Sequence, residues 1–492
     1  GEQKGVGDYI IHTFGRTMEG KSVYAKVTGF TPYFYISLPD EWDKLSSSKI
    51  SEKLEKMEAW LLSKENRKVY YQYKETLQEI TFMKKKKTDG FTYDYETQDY
   101  KEFNFARLVF NNSIGMKKFS YLFDNNELVI PGVTTKPTKF KLYESNMTPM
   151  LRCFHIRKIS GCSWVSTANY KKVNKEEKKE SRCDIEIKVD WQELSPIKKD
   201  RNAPFIIASF DIECFSHDGQ FPQASRKKDV ITQIGITYTK LGESLPYRKW
   251  IACLEQTDAI PDVEVVSCET EKEVIEAWID ELNKYDSDII TGYNIFHFDE
   301  KYIYDRCDKI LNLKTDVSYI SKLKNRSCNF KDMKLESAAL GQNLMFFWET
   351  PGRIHIDIMK DIQKTYNLSS YKLDFVASNF IRGEILSYKK LDGAGLSDFD
   401  NKITHVIDDN YFELTCKNVD DIQLHDFIHI EVIKGFVSDD VGEKYMVSEI
   451  DKVNKIIKIK GDSILDAELE ISKHGGTIWW SQAKDDVGPK DI

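Results

Sequence analysis

Long apolar runs are missing from this sequence of 492 residues. No stretch of eighteen or more apolar residues occurs, so no membrane-spanning helix is expected. The opening segment, GEQKGVGDYIIHTFGRT, lacks a basic stretch followed by an apolar one, so no signal peptide is expected. Cysteine is sparse, with nine residues in the chain. None forms a CxxC pair and none has zinc-ligand spacing with histidine, which argues against a structural zinc site and for a reducing compartment. A basic total is also missing: the net charge is −8. That weighs mildly against a pure DNA-binding domain but suits a site that gathers divalent cations. Basic stretches exist locally, at Lys84 to Lys87, at KKVNKEEKKE, at Arg226 to Lys228 and around Lys322 to Lys334. The first two read as solvated loops.

What is present is enough apolar residue, 41% with 12% aromatic, to build more than one core. Residues 1 to about 200 read as short alternating strands broken by Gly and Pro, with a helix over 41 to 66 that places Leu54, Met57 and Leu61 on one face. The segment DRNAP at 200 to 204 marks a boundary. After it PFIIASF reads as a strand buried on both faces. ITQIGITYTK and KWIACLEQ continue the sheet. A helix over 269 to 285, a short strand DIITGYN and a helix from about Asp299 follow, and this alternation predicts an α/β layer fold. From 390 to 478 the pattern returns to short alternating strands, a β-rich insertion with no motif of readable chemistry. His425 and His429 are expected on one face of a strand there, as an ordinary half-exposed surface.

Two-metal hydrolysis of a phosphodiester needs carboxylates converging on a pair of divalent ions. The tripeptide DIE occurs twice. Asp184 and Glu186, in CDIEIKVDW, read as the solvated face of an amphipathic strand. Asp211 and Glu213 differ, because they end the buried run PFIIASF and share one face by alternation. Carboxylates there are costly unless paired or metal-bound. Asp299 opens a helix after TGYNIFHF, where it is either a cap or a group at an anion-favouring helix terminus. Asn294 and Phe298 offer an amide and a ring beside it, suited to a DNA strand end.

ASFDIECFSHDGQFP and ITGYNIFHFD resemble the first two exonuclease motifs of family B DNA polymerases. YESNMTPMLRCFHIRKISGCSW, GRIHIDIMKDIQKTYNLSSYKLDFVASNF and AKDDVGPKDI resemble further segments of the delta-like and large-virus branch, most strongly over about 140 to 390. The resemblance implies a ribonuclease H-like α/β exonuclease domain over 201 to 389. A mostly β N-terminal domain would precede it over 1 to 200, and residues 479 to 492 would return to the nuclease domain after the insertion. It implies that Asp211, Glu213 and Asp299 bind Mg2+ or Mn2+ as a two-ion site. Phe221 would pack against a frayed primer end, and Asn294 and Phe298 would line the strand-end pocket. Tyr371, in SSYKLD, would be structural. The implied partners are DNA primer and template, a single-stranded 3′ end, the remaining polymerase domain and a sliding clamp, with no membrane and an intracellular site of action. The third motif, a Tyr three residues before an Asp, has no convincing counterpart before Ile492. A fragment missing its fourth carboxylate, and weak as an exonuclease alone, is therefore expected. A stand-alone exonuclease and a non-cleaving strand-binding module are the competing readings.

Overall fold

The computed structural model describes residues 7–66, 71–87, 92–173, 178–337, 341–391, 410–434, 437–461 and 476–483. At its centre is a six-stranded sheet ordered Glu264–Cys268, Arg248–Leu254, Ile231–Lys240, Ile206–Cys214, Ile289–Gly292, Ile354–Asp357. Ile206–Cys214 pairs antiparallel with Ile231–Lys240 on one side and parallel with Ile289–Gly292 on the other. An antiparallel hairpin partner on one flank of the first strand and parallel strands on the other is the ribonuclease H-like arrangement.

Alternation along the Ile206–Cys214 strand separates two environments. Ala208, Phe210, Ile212 and Cys214 are buried and join one core with Val274, Ile275 and Trp278 of the helix Glu271–Tyr285. The Phe210 and Trp278 ring centroids lie 5.7 Å apart. Ile207 and Ser209 on the opposite face are half-buried, and Asp211 and Glu213 are exposed. This corrects the expectation of a strand buried on both faces: the core helix covers the even-numbered face only. The uncovered face is the one that carries the carboxylates.

The N-terminal part holds two four-stranded sheets. One is ordered Ile11–Arg16, Ser22–Thr28, Ile185–Asp190, Lys171–Lys172. In it Asp184 of the first DIE tripeptide stays exposed as expected, but Glu186 departs from the solvated role. Glu186 is 2% exposed. Its carboxylate accepts from the backbone N–H groups of Glu180 and Ser181 and from the Ser181 hydroxyl, at 3.1, 2.9 and 2.8 Å. Asp184 accepts from the backbone and hydroxyl of Ser22. These carboxylates replace backbone partners that the neighbouring loops lack.

The second sheet is ordered Leu77–Lys86, Glu102–Phe110, Tyr33–Ser37, Leu142–Tyr143. The helices Ser47–Leu61 and Ser113–Asn125 cover one of its faces. Leu54, Met57, Leu61, Phe119 and Phe123 pack there on Phe34, Leu108 and Phe110. Asn112 caps the second of these helices by accepting from Gly115 N at 2.8 Å.

Six further strands close into a barrel. They are ordered Arg382–Leu391, Asn410–Cys416, Ile456–Gly461, Val437–Asp451, Phe427–Lys434, Thr477–Ala483. Closure leaves the barrel sheet without free edges. Trp480 and Phe412 fill the interior. The first strand begins before residue 390 and the last ends after residue 478, so the barrel extends past the expected limits at both ends. His425 precedes the Phe427–Lys434 strand, at a φ of +71°, so it does not share a strand face with His429. AKDDVGPKDI lies outside the described residues from its second position onward.

Candidate active site

Asp299 is the first residue of the helix Asp299–Lys309, and it does not project to solvent as a simple cap would. Its side chain reaches across to the central strand, where Oδ1 accepts from Ile212 N at 3.1 Å. Asp299 is 1% exposed. Burial, then the charge of Asp211 and a hydrogen bond between the two carboxyls, push its pKa up from 3.8 to about 8. Asp211 and Asp299, far apart in the chain, are thus in contact. Glu213 lies two residues further along the exposed face of the same strand.

The loop that delivers Asp299 is tightly built. Gly292 ends the strand, and a Cβ there would meet the Phe210 carbonyl oxygen at 2.6 Å and Ile295 at 2.5 Å. Only glycine allows this approach. Gly292→Ala is expected to cost about 1–3 kcal/mol in urea unfolding and to weaken any activity that depends on Asp299. An unchanged midpoint would show that the loop gives way freely. Asn294 follows at a φ of +63°, a conformation that asparagine tolerates. Its carbonyl accepts from His297 N and Phe298 N, both at 3.1 Å. The buried Asp357 carboxylate completes the loop by accepting from Asn294 N at 2.9 Å and Phe296 N at 3.1 Å. Asp357 also accepts from Met359 N at 3.0 Å, capping the helix Ile358–Thr365.

Phe298 sits at the cap position before Asp299. Its ring centroid is 5.3 Å from that of Phe221, tilted by 60°. Phe221 is 73% exposed. A large ring left this open is unusual, and its neighbours explain how it is held. Asp229, fully buried, accepts from Gln223 N at 2.9 Å and from the His217 ring at 2.6 Å. Burial alone would raise the Asp229 carboxyl, but these hydrogen bonds outweigh it and hold it below the ordinary range. Arg306 anchors the same loop from beneath. It pairs with Glu271 and donates to the carbonyls of Ala224 and Arg226.

The structure therefore brings Asp211, Asp299, Phe221 and Phe298 into one neighbourhood, with Asn294 in the connecting loop. Sequence reasoning missed Asp357 and Asp229. Each is an Asp whose carboxylate accepts backbone N–H groups, and the only sequence trace is a polar residue at a strand or loop end. Tyr371 is held by local backbone contacts: its hydroxyl donates to Tyr366 O and accepts from Leu368 N. Among the described residues no group of three or more His, Cys, Asp or Glu side chains is disposed to hold a metal ion. No described helix is long and apolar enough to cross a membrane.

A ribonuclease H-like sheet with facing carboxylates at the end of its first strand defines a nuclease-type domain. Residues 140–376 match the family model for DNA polymerase family B, exonuclease domain. The chain is 29% identical to a DNA polymerase of Acanthamoeba polyphaga mimivirus, over 91% of this chain and 29% of that protein. It is 27% identical to the DNA polymerase of Pyramimonas orientalis virus, over 100% and 46%. It is 32% identical to the DNA polymerase delta catalytic subunit of Plasmodium falciparum, over 76% and 33%. The chain thus spans less than half the length of these relatives. Among solved structures, the family B DNA polymerase of Pyrobaculum calidifontis aligns with a TM-score of 0.46 and 16% identity, over 76% of this chain and 39% of that one.

Proposed function

We propose that this chain is the N-terminal and proofreading part of a DNA-directed DNA polymerase, and that it hydrolyses the 3′-terminal phosphodiester of a DNA strand. The observation that carries this reading is the contact between Asp211 and the buried Asp299. Two carboxylates forced together repel unless a proton or a cation lies between them. The carboxylate oxygens of Asp211 and Asp299 are donors of the kind Mg2+ or Mn2+ takes, and Glu213 would have to move in to join them. Bound ions of this kind supply an activated water and stabilise the departing 3′-oxygen. In the overall reaction the water oxygen bonds to phosphorus, the bond to the 3′-oxygen breaks, and that oxygen takes up a proton.

The chain's own residues do the positioning. Phe298 and Phe221 offer two rings on which the terminal bases stack. The N-terminus of the Asp299 helix turns its positive dipole end toward a phosphate. Asp357 keeps the Asn294 loop in shape. The partners that follow from this reading are primer and template DNA, the remaining polymerase domain and a sliding clamp.

A second reading is a strand-binding module that does not cleave. It is favoured by the absence, among the described residues, of a third side chain closing the metal cage. The test is digestion of a 5′-labelled single-stranded oligonucleotide with Mn2+, beside Asp211→Ala. Slow trimming from the 3′ end that disappears in Asp211→Ala is expected, with a loss of at least about a hundredfold. Binding without trimming in either chain would favour the second reading.

A further inference from the structure

Asp299 is followed by a second buried acid, Glu300, which the reaction proposed above does not use. A carboxylate is costly to bury without partners, and the partners of Glu300 lie on two strands. Its Oε2 accepts from Trp348 N, in the strand Gly341–Glu349, at 3.0 Å. Its Oε1 lies 2.6 Å from His355 Nδ1, in the edge strand Ile354–Asp357. The His355 ring is buried, and its Nε2 is 3.0 Å from the Thr350 hydroxyl. The backbone N–H of Glu300 is also engaged, donating to Ile295 O at 3.0 Å.

The edge strand wears its polarity reversed. Ile354 and Ile356 are 56% and 40% exposed. His355 and Asp357 lie inward, in register with Ile290 and Gly292. An inward polar face is costly unless it holds something polar. Asp357 holds the loop before the Asp299 helix, and His355 holds Glu300 in the first turn of that helix. Successive residues of a helix point about 100° apart. Asp299 therefore reaches the Ile206–Cys214 strand while Glu300 reaches Trp348 and His355. The first turn is gripped from two directions.

We propose that Glu300 and His355 are positioning residues for the nuclease site. They fix the rotation of the first helical turn, and with it the place of the Asp299 carboxylate against Asp211. The purpose of this device rests on the nuclease reading, but its test does not. Without the Glu300 carboxylate the turn is free to rotate, and Asp299 loses its bond to Ile212 N. A pair that only stabilised the fold would be indifferent to where Asp299 points.

The test is residue-resolved amide hydrogen exchange of the full chain in EDTA at neutral pH. Ile212 N donates to the Asp299 carboxylate, so its protection reads the place of that side chain with no metal and no turnover. Glu300→Ala is expected to speed exchange at Ile212 about tenfold. The amides paired between Ile206–Cys214 and Ile231–Lys240 should keep their parental rates. Glu300→Gln keeps an oxygen for Trp348 N and can donate to the other tautomer of the ring, so it should restore the parental rate at Ile212. His355→Leu should loosen Ile212 by a smaller factor, and it decides the matter if Glu300→Ala does not fold. In the Mn2+ trimming assay Glu300→Ala should lower kcat about a hundredfold at a nearly unchanged KM. Unchanged exchange at Ile212 in both Glu300→Ala and His355→Leu would overturn the proposal. So would a rise shared by the whole strand, which marks lost stability alone. So would a Glu300→Gln chain as loose as Glu300→Ala, which marks charge and not placement. A parent chain that does not trim would count against the nuclease reading and leave the exchange result standing.

Discussion

Asp299→Asn is expected to abolish 3′-end trimming and, at the same time, to raise the melting temperature of the metal-free chain at pH 8. The two effects have one cause. Asp299 is buried against Asp211, and burial and that neighbouring charge raise its pKa from 3.8 to about 8. A carboxyl whose pKa is raised on folding favours the folded state less as it ionises. The penalty is therefore absent below pH 3.8, grows as the pH rises, and is complete above about 8. The amide is nearly the same shape, keeps an oxygen to accept from Ile212 N, and carries no charge at any pH. Its stabilising effect should be on the order of 2 kcal/mol at pH 8 and should shrink toward zero by pH 4. Loss of a carboxylate from the reacting set should lower trimming by roughly a thousandfold or more. Thermal melts in EDTA at both pH values, beside the oligonucleotide assay, check both halves. A variant that melts lower than the parent at pH 8 would mean that the Asp211–Asp299 contact is not a repulsive one. Added Mn2+ should then raise the melting temperature of the parent and not of Asp299→Asn, since only the parent keeps both acidic groups.

How much of this was legible beforehand depends on distance along the chain. Asp211 and Glu213 could be placed because a strand's alternation is local, and Asp299 because a helix start is local. That Asp211 and Asp299 touch could not be read from pattern, since it depends on Gly292 allowing the loop to close against Phe210. Glu186 shows the limit from the other side. Its tripeptide matches that of Asp211, and its strand alternates just as well. The loop at Glu180 and Ser181 folds over it and turns a solvated position into a buried one. Lys84 to Lys87 misled for the same reason, since a run of one charge reads as loop until a partner strand appears at Glu102–Phe110. The barrel's strands were legible as alternation, but its closure was not. Closure rests on Arg382–Leu391 meeting Thr477–Ala483, with the insertion lying between them.

Asp288→Ala is expected to be the most damaging single change to stability, at about 3–5 kcal/mol. Asp288 is the meeting point of three distant segments. Its Oδ1 accepts from the Lys322 ammonium at 2.5 Å, and its Oδ2 accepts from Ile206 N at 2.8 Å and from Arg16 Nε. Arg16 ends the first N-terminal strand and Ile206 begins the central nuclease strand, so one carboxylate ties the two parts together. Lys322 and Arg16 are themselves buried. Attraction within such a pair does little more than offset the cost of taking both charges out of water. Removing this anion is another matter, because Lys322 is then left with Asp286 at 3.2 Å, Arg16 keeps only the carbonyls of Gly20 and Asp286, and Ile206 N loses its acceptor. Asp288→Asn should lose less, since it keeps an acceptor for Ile206 N. Asp288→Asn combined with Lys322→Met should recover part of the loss, because it removes a cation along with the anion. Urea unfolding of the single and double variants measures this directly. A loss below about 1 kcal/mol for Asp288→Ala would mean that water reaches Arg16 and Lys322, and that the junction is held by apolar packing alone.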